Sequence, residues 1–157
     1  MPDDELAAEM YELMIDKILA ASYEQYEISN FSKPGFESRH NSKYWRLDPV
    51  YGFGVSAHSF DGVHRYANER DTAKFVELIE QTGSAEVSRE AIDAASEFIF
   101  LGLRLNEGIA LDADILEKYD EVIKRLTETA LVEPSGNRLK LTRRGMLFSN
   151  EVFTEFV

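Results

Sequence analysis

Two hydrophobic periods share this chain, and the switch between them near residue 71 is what most constrains its fold. Upstream, regular segments are short and interrupted. Residues 3–21 read as an amphipathic helix: Asp3 or Asp4 can cap it, and Leu6, Met10, Leu13, Ile18 and Leu19 recur at helical spacing. YEQYEIS (23–29) alternates as a strand does, and residues 30–49 are turn-rich, with Pro34-Gly35 as breaker and one short helical turn over 40–46. The glycine-rich YGFGVSAHSFDG (51–62) leads into the strand VHRYANE.

Downstream, DTAKFVELIEQT is a helix opened by an Asp-Thr cap and closed by Gly83. SREAIDAASEFIFLGLRL (88–105) reads as a longer helix, and two shorter ones follow over about 112–119 and 120–130. LVEPSGNRLKLT is a two-stranded hairpin around Ser135-Gly136-Asn137, and RRGMLFSNEVFTEF a last helix. Helices, hairpin and a final helix make a winged-helix-like arrangement in an α+β chain. The pattern divides it near 83–86, into residues 1–83 and a mostly helical 84–157.

Charge narrows the function. The chain carries net −12, which argues against a general nucleic-acid binder because phosphate contacts need clustered Lys and Arg. Residues 33–74 reverse that sign: they hold seven basic residues against five acids, and all three histidines, His40, His58 and His64. A locally positive site on an acidic body suits a small anionic ligand better than a long polyanion. RLKLTRRG (138–145) looks basic, yet residues 84–157 hold nine basic and fourteen acidic residues, so a solvated edge is its plain reading. The absence of cysteine excludes disulfides, thiolate catalysis and thiolate-held clusters within the chain. No run approaches the roughly 20 apolar residues that span a bilayer. The acidic MPDDELAAEM is unlike a secretory signal, so the expected location is the cytoplasm.

The densest chemistry lies in RHNSKYWR (39–46), where His40 and Tyr44 share a helix face and Trp45, the chain's only tryptophan, lies beside them. A neutral imidazole can ligate haem iron, flat rings can stack on a porphyrin, and Arg39, Lys43 and Arg46 can pair with carboxylates. The plainer reading makes Tyr44 and Trp45 loop anchors and His40 a hydrogen-bonded structural residue. GFGVSAHS (52–59) reads either as backbone approaching a ligand through Gly52 and Gly54, with His58 as a functional group, or as a tight turn entering a strand.

Taken together, YEQYEISNFSKPGFESRHNSKYW, YGFGVSAHSF, EFIFLGLRLNEGI and LTRRGMLFSNEVF resemble the C-terminal half of the oxygen-independent coproporphyrinogen III oxidase-like radical SAM proteins. Within that family HNSKYW matches the HNxxYW pattern of the haem-chaperone (HemW) branch. The resemblance implies that residues 1–83 are the tail of an incomplete α/β barrel plus the HNxxYW segment. It also implies a haem- or porphyrin-binding role, with His40 as iron ligand and Asn41, Tyr44, Trp45, Arg39, Arg46, Gly52, Gly54 and His58 around the ligand. An oxidase that decarboxylates coproporphyrinogen III is the alternative, and a non-enzymatic winged-helix interaction module the second. The family's iron–sulfur cluster and S-adenosylmethionine need a CxxxCxxC motif that this chain lacks, so it is expected to be inactive alone. A strand cut from its barrel would leave an open edge, which implies a homo-oligomer through that edge. Position 56 departs from the family: Ser56 stands where glycine is common.

Overall fold

The computed structural model describes residues 4–156 and shows a mixed α/β chain. Helix α1 (Asp4–Ala20) forms where expected, although the stripe expected to pack is largely exposed, and a cap by Asp3 lies outside the described residues. It buries Ile15, at 2% exposure, and leaves Met10, Leu13, Met14 and Leu19 exposed. Strand β1 (Glu24–Glu27) pairs antiparallel with β2 (Asn30–Ser32), with a register shift between Gln25 and Glu27. The first residues of the turn-rich 30–49 are thus a strand, because the tight turn at Ile28-Ser29 folds them back on β1. Then comes α2 (Arg39–Trp45), the expected helical turn begun one residue earlier than 40–46.

Next, β3 (His58–Phe60), β4 (His64–Asn68), α3 (Thr72–Thr82) and β5 (Glu86–Ala91) build an antiparallel sheet of order β3-β4-β5. Asp71 caps α3 through Lys74 N, and Gly83 ends it, as expected. The helix expected over 88–105 is corrected: residues 86–91 are the third strand, registered from His64↔Ala91 to Asn68↔Glu86. Helix propensity loses there to a backbone partner that local periodicity does not reveal. Asp93 then caps a shorter α4 (Ala94–Gly102), accepting from Ala95 N and Ser96 N.

The remaining elements are β6 (Ile109–Ala110), α5 (Ala113–Glu128), β7 (Val132–Ser135), β8 (Arg138–Leu141), α6 (Arg143–Leu147) and α7 (Ser149–Thr154). The two helices expected over 112–130 are one, since Ile115, Tyr119, Ile123 and Leu126 keep a single buried stripe with no breaker between them. The hairpin forms as read, with Ser135 opposite Arg138, and β6 widens it to a sheet of order β6-β8-β7. The last helix divides at Phe148, whose φ of −102° and ψ of 29° end α6 and open α7. Among the described residues the main core comes from residues 99–156, and Ile28 alone joins it from upstream of α4.

Ile28 marks the junction that positions everything below. Its amide donates to Arg104 O, while Asn106 donates through its backbone to Tyr26 O and through its side chain to Gln25 O. Both edges of β1 are therefore engaged, by β2 and by residues 104–106. Glu27, 0% exposed, sits in this seam. Its carboxylate accepts from Ser29 N at 2.8 Å, from the Asn30 side chain and from Arg104 Nη2 at 3.2 Å.

Candidate functional site

Helix α2 starts where Ser38 Oγ accepts from Asn41 N at 3.2 Å. It stops where Leu47 turns left-handed, φ +57°, so that Leu47 N reaches Tyr44 O and Asp48 N reaches Lys43 O. Between these caps the side chains divide three ways. Arg39, Ser42, Lys43 and Arg46, at i, i+3, i+4 and i+7, form one face. They line a cleft of about 600 Å³ together with Tyr26, Gly35, Glu37, Asp48, Leu105 and Glu107. His40 and Tyr44 share a second, with ring centroids 5.1 Å apart and planes at 76°. Asn41 and Trp45 share the third, and Trp45 packs under the Arg104 guanidinium, 4.4 Å from its ring.

The structure thus brings Arg39 and Arg46 together with Lys43, and His40 together with Tyr44. It sets Trp45 apart: the indole lines a smaller space of about 230 Å³ with Phe98, Gly102 and Ile109, and its Nε1 is buried without a partner. His40 is exposed, and among the described residues no hydrogen bond or ion pair engages its ring. The imidazole is free to meet a ligand.

The cleft's charge is more balanced than the sequence island. Glu107 arrives from the loop after α4 and pairs with Arg46 at 3.3 Å, on the solvent side. Glu37 accepts from Gly35 N at 3.0 Å, and its own amide and that of Gly35 hold its carboxyl below the ordinary range. Arg39 and Lys43 carry no ion pair among the described residues. They are the cations open to an incoming carboxylate. The sequence reading missed Glu107 and Arg104; the available signal was LGLRLNEG, charges threaded through leucines that the fold buries.

Gly52, Gly54 and His58 lie elsewhere, in the loop that enters β3. Gly52 N donates to Ser59 Oγ at 3.0 Å, and a Cβ on Gly52 would stand 2.4 Å from His58 O. Close approach there is to the chain's own backbone. Gly54 O accepts from the Asn68 side chain at 3.0 Å, and His58 is exposed at the start of β3 opposite Ala67. Phe53 is 91% exposed on this loop and Phe36 80% exposed after Pro34-Gly35, two surface aromatics that turn residues alone would suggest.

Ser56 holds φ +59° while its amide donates to Glu69 O at 3.0 Å. Left-handed backbone costs a non-glycine residue about 1–2 kcal/mol. The extra unfolded-state freedom of glycine offsets about 0.4–1 kcal/mol of that. Ser56→Gly is therefore expected to raise stability by up to about 1 kcal/mol, read from the urea midpoint. A lowered midpoint would contradict it.

Among the described residues no group of three or more His, Cys, Asp or Glu is placed to hold a metal ion, and no helix is long and apolar enough to cross a membrane. With no cysteine in the chain, its residues do not fit a thiolate-held iron–sulfur cluster.

Comparison with known proteins adds lineage to this geometry. Residues 90–148 match the HemN C-terminal domain. Along its whole length the chain is 37% identical to the "Heme chaperone HemW" of Bacillus subtilis, covering 44% of that protein. Over 96% of the chain it is 32% identical to the HemW of Mycobacterium tuberculosis H37Rv, covering 39% of that protein. The chain spans less than half the length of these relatives. Its fold is similar to the Escherichia coli structure described as "Coproporphyrinogen III oxidase (HemN)", a radical SAM enzyme, with a TM-score of 0.73. That likeness covers 99% of this chain and 42% of the other at 16% identity, and so speaks for the fold alone.

Proposed function

We propose, from the premise that this chain belongs with the HemW relatives of the radical SAM family and carries the HemN C-terminal domain, that it supplies the porphyrin-contacting segment of a protein of haem or porphyrin metabolism. The observation that carries the reading is α2: an exposed imidazole with no hydrogen bond or ion pair on it among the described residues, one face away from Arg39 and Lys43 over a cleft. In this reading haem is cargo. His40 ligates the iron, Tyr44 offers its ring edge, and Arg39 and Lys43 pair with the propionates. Trp45 and Asn41, on the inward face, hold the helix. Gly52, Gly54 and His58 shape the neighbouring loop rather than touch the iron.

The same proposal reads residues 1–83 as a barrel tail and 84–157 as winged-helix-like; hairpin β7–β8 between α5 and α6 supports the second, while β5 pairs with β4 and moves that boundary to the turn before α4. The chain's residues hold no cluster, so no radical step is assigned to them.

Titration of the purified chain with haemin tests this. A saturable Soret change is expected, and His40→Ala should abolish the ligated band. Replacing Arg39 or Lys43 by alanine removes a charge-assisted hydrogen bond and should weaken binding roughly tenfold each. A wild-type titration without saturation, or a spectrum indifferent to His40→Ala, would sink the assignment.

A further inference from the structure

We infer that Arg104 is a positioning residue for α2, gripping Trp45 with the face of its guanidinium and Glu27 with its edge; the consequence for haem rests on the reading above. A helix of seven residues has little stability of its own, so its pose is set by what its inward face packs against. That inward side holds Ser42, 8% exposed, and the partly buried Trp45, and the guanidinium of Arg104 lies 4.4 Å from the indole ring. The same guanidinium donates through Nη2 to Glu27 Oε2 at 3.2 Å, and Glu27 is fully buried. The backbone carbonyl of Arg104 meanwhile takes Ile28 N at 3.1 Å. One residue, in the turn after α4, therefore ties β1, α2 and the main core into a single corner. The outward faces of α2, with His40 and with Arg39 and Lys43, point where that corner sends them.

Arg and Lys are not equivalent here. Lysine can still meet the Glu27 carboxylate, but it has no plane to lay against the indole. Arg104→Lys thus separates gripping Trp45 from neutralising Glu27.

Trp45 is the only tryptophan, so its emission reports the contact without a probe. In Arg104→Lys the emission is expected to shift to longer wavelength. Exchange of the Arg46 amide, which donates to Ser42 O, should accelerate about tenfold, and that of the β7–β8 hairpin should not change. Haemin affinity should fall about tenfold with the urea midpoint nearly kept. Unchanged emission and exchange would overturn the inference. So would a shifted emission with wild-type haemin affinity, or equal loss of protection in α2 and the hairpin, which marks general destabilisation. Failure of the wild-type chain to bind haemin would instead remove the functional reading, leaving emission and exchange to decide the role of Arg104.

Discussion

Alanine at Glu27 is expected to destabilise the chain by about 3–5 kcal/mol, more than any surface ion-pair substitution would. Glu27 is 0% exposed and its carboxylate takes three donors, Ser29 N, Asn30 Nδ2 and Arg104 Nη2. Deleting it leaves the Arg104 side chain, 23% exposed, without its anion, and Arg104 Nε is already buried and unpartnered. The cost is the desolvation of an orphaned cation and of two more donors, not the Coulomb energy of the pair. Glu27→Gln keeps an acceptor for Ser29 N and Asn30 but turns its amide NH2 toward Arg104 Nη2, donor against donor, so about 1–3 kcal/mol is expected. Urea unfolding of the whole chain measures both. A loss under about 1 kcal/mol for the alanine variant would mean that water reaches the seam and replaces the carboxylate.

The seam also shows which parts of the fold were legible in the sequence. Elements made by local chemistry were: Asp71 and Gly83 delimit α3, Gly136-Asn137 turns the β7–β8 hairpin, and α1 forms where a helix is expected, though it buries Ile15 rather than the expected stripe. Elements made by distant backbone were not. Residues 86–91 carry helix-compatible side chains, and only the free edge of β4 makes them a strand. Strand β6 is two residues long and exists because β8 offers Leu139 and Arg138 opposite it. No window of the sequence contains both partners.

The candidate site divides along the same line. That 40–46 would hold a helical turn, with His40 and Tyr44 on one face, follows from spacing and is what the rings do. That Trp45 turns inward does not follow, because the deciding partner, Arg104, is 59 positions away by residue number. The charge island was similarly half legible. Glu37 and Asp48 stand within it, whereas Glu107 enters only through the junction of β1 with residues 104–106.

Gly108 and Gly136 provide the sharpest test of that junction, because both hold φ +63° in very different surroundings. Alanine at either position costs about 1–2 kcal/mol for the left-handed backbone, offset by about 0.4–1 kcal/mol of unfolded-state freedom, a net of about 1 kcal/mol. At Gly136 nothing lies within 4 Å of the added carbon, so that is the whole expected effect. At Gly108 the carbon would stand 2.0 Å from Leu139 O and 2.7 Å from Lys140 Cβ, and Leu139 is 0% exposed on β8. Relief requires β6 to move off β8, where overpacking adds about 1–3 kcal/mol. Gly108→Ala is therefore expected to cost about 2–4 kcal/mol in urea unfolding against about 1 kcal/mol for Gly136→Ala. The movement would also carry Glu107 away from Arg46, so the variant's cleft should gain a free cation as its fold weakens. The difference between the two glycines isolates the contact from the conformation: equal losses would mean that β6 yields without cost, and that the corner holding α2 is softer than its geometry implies.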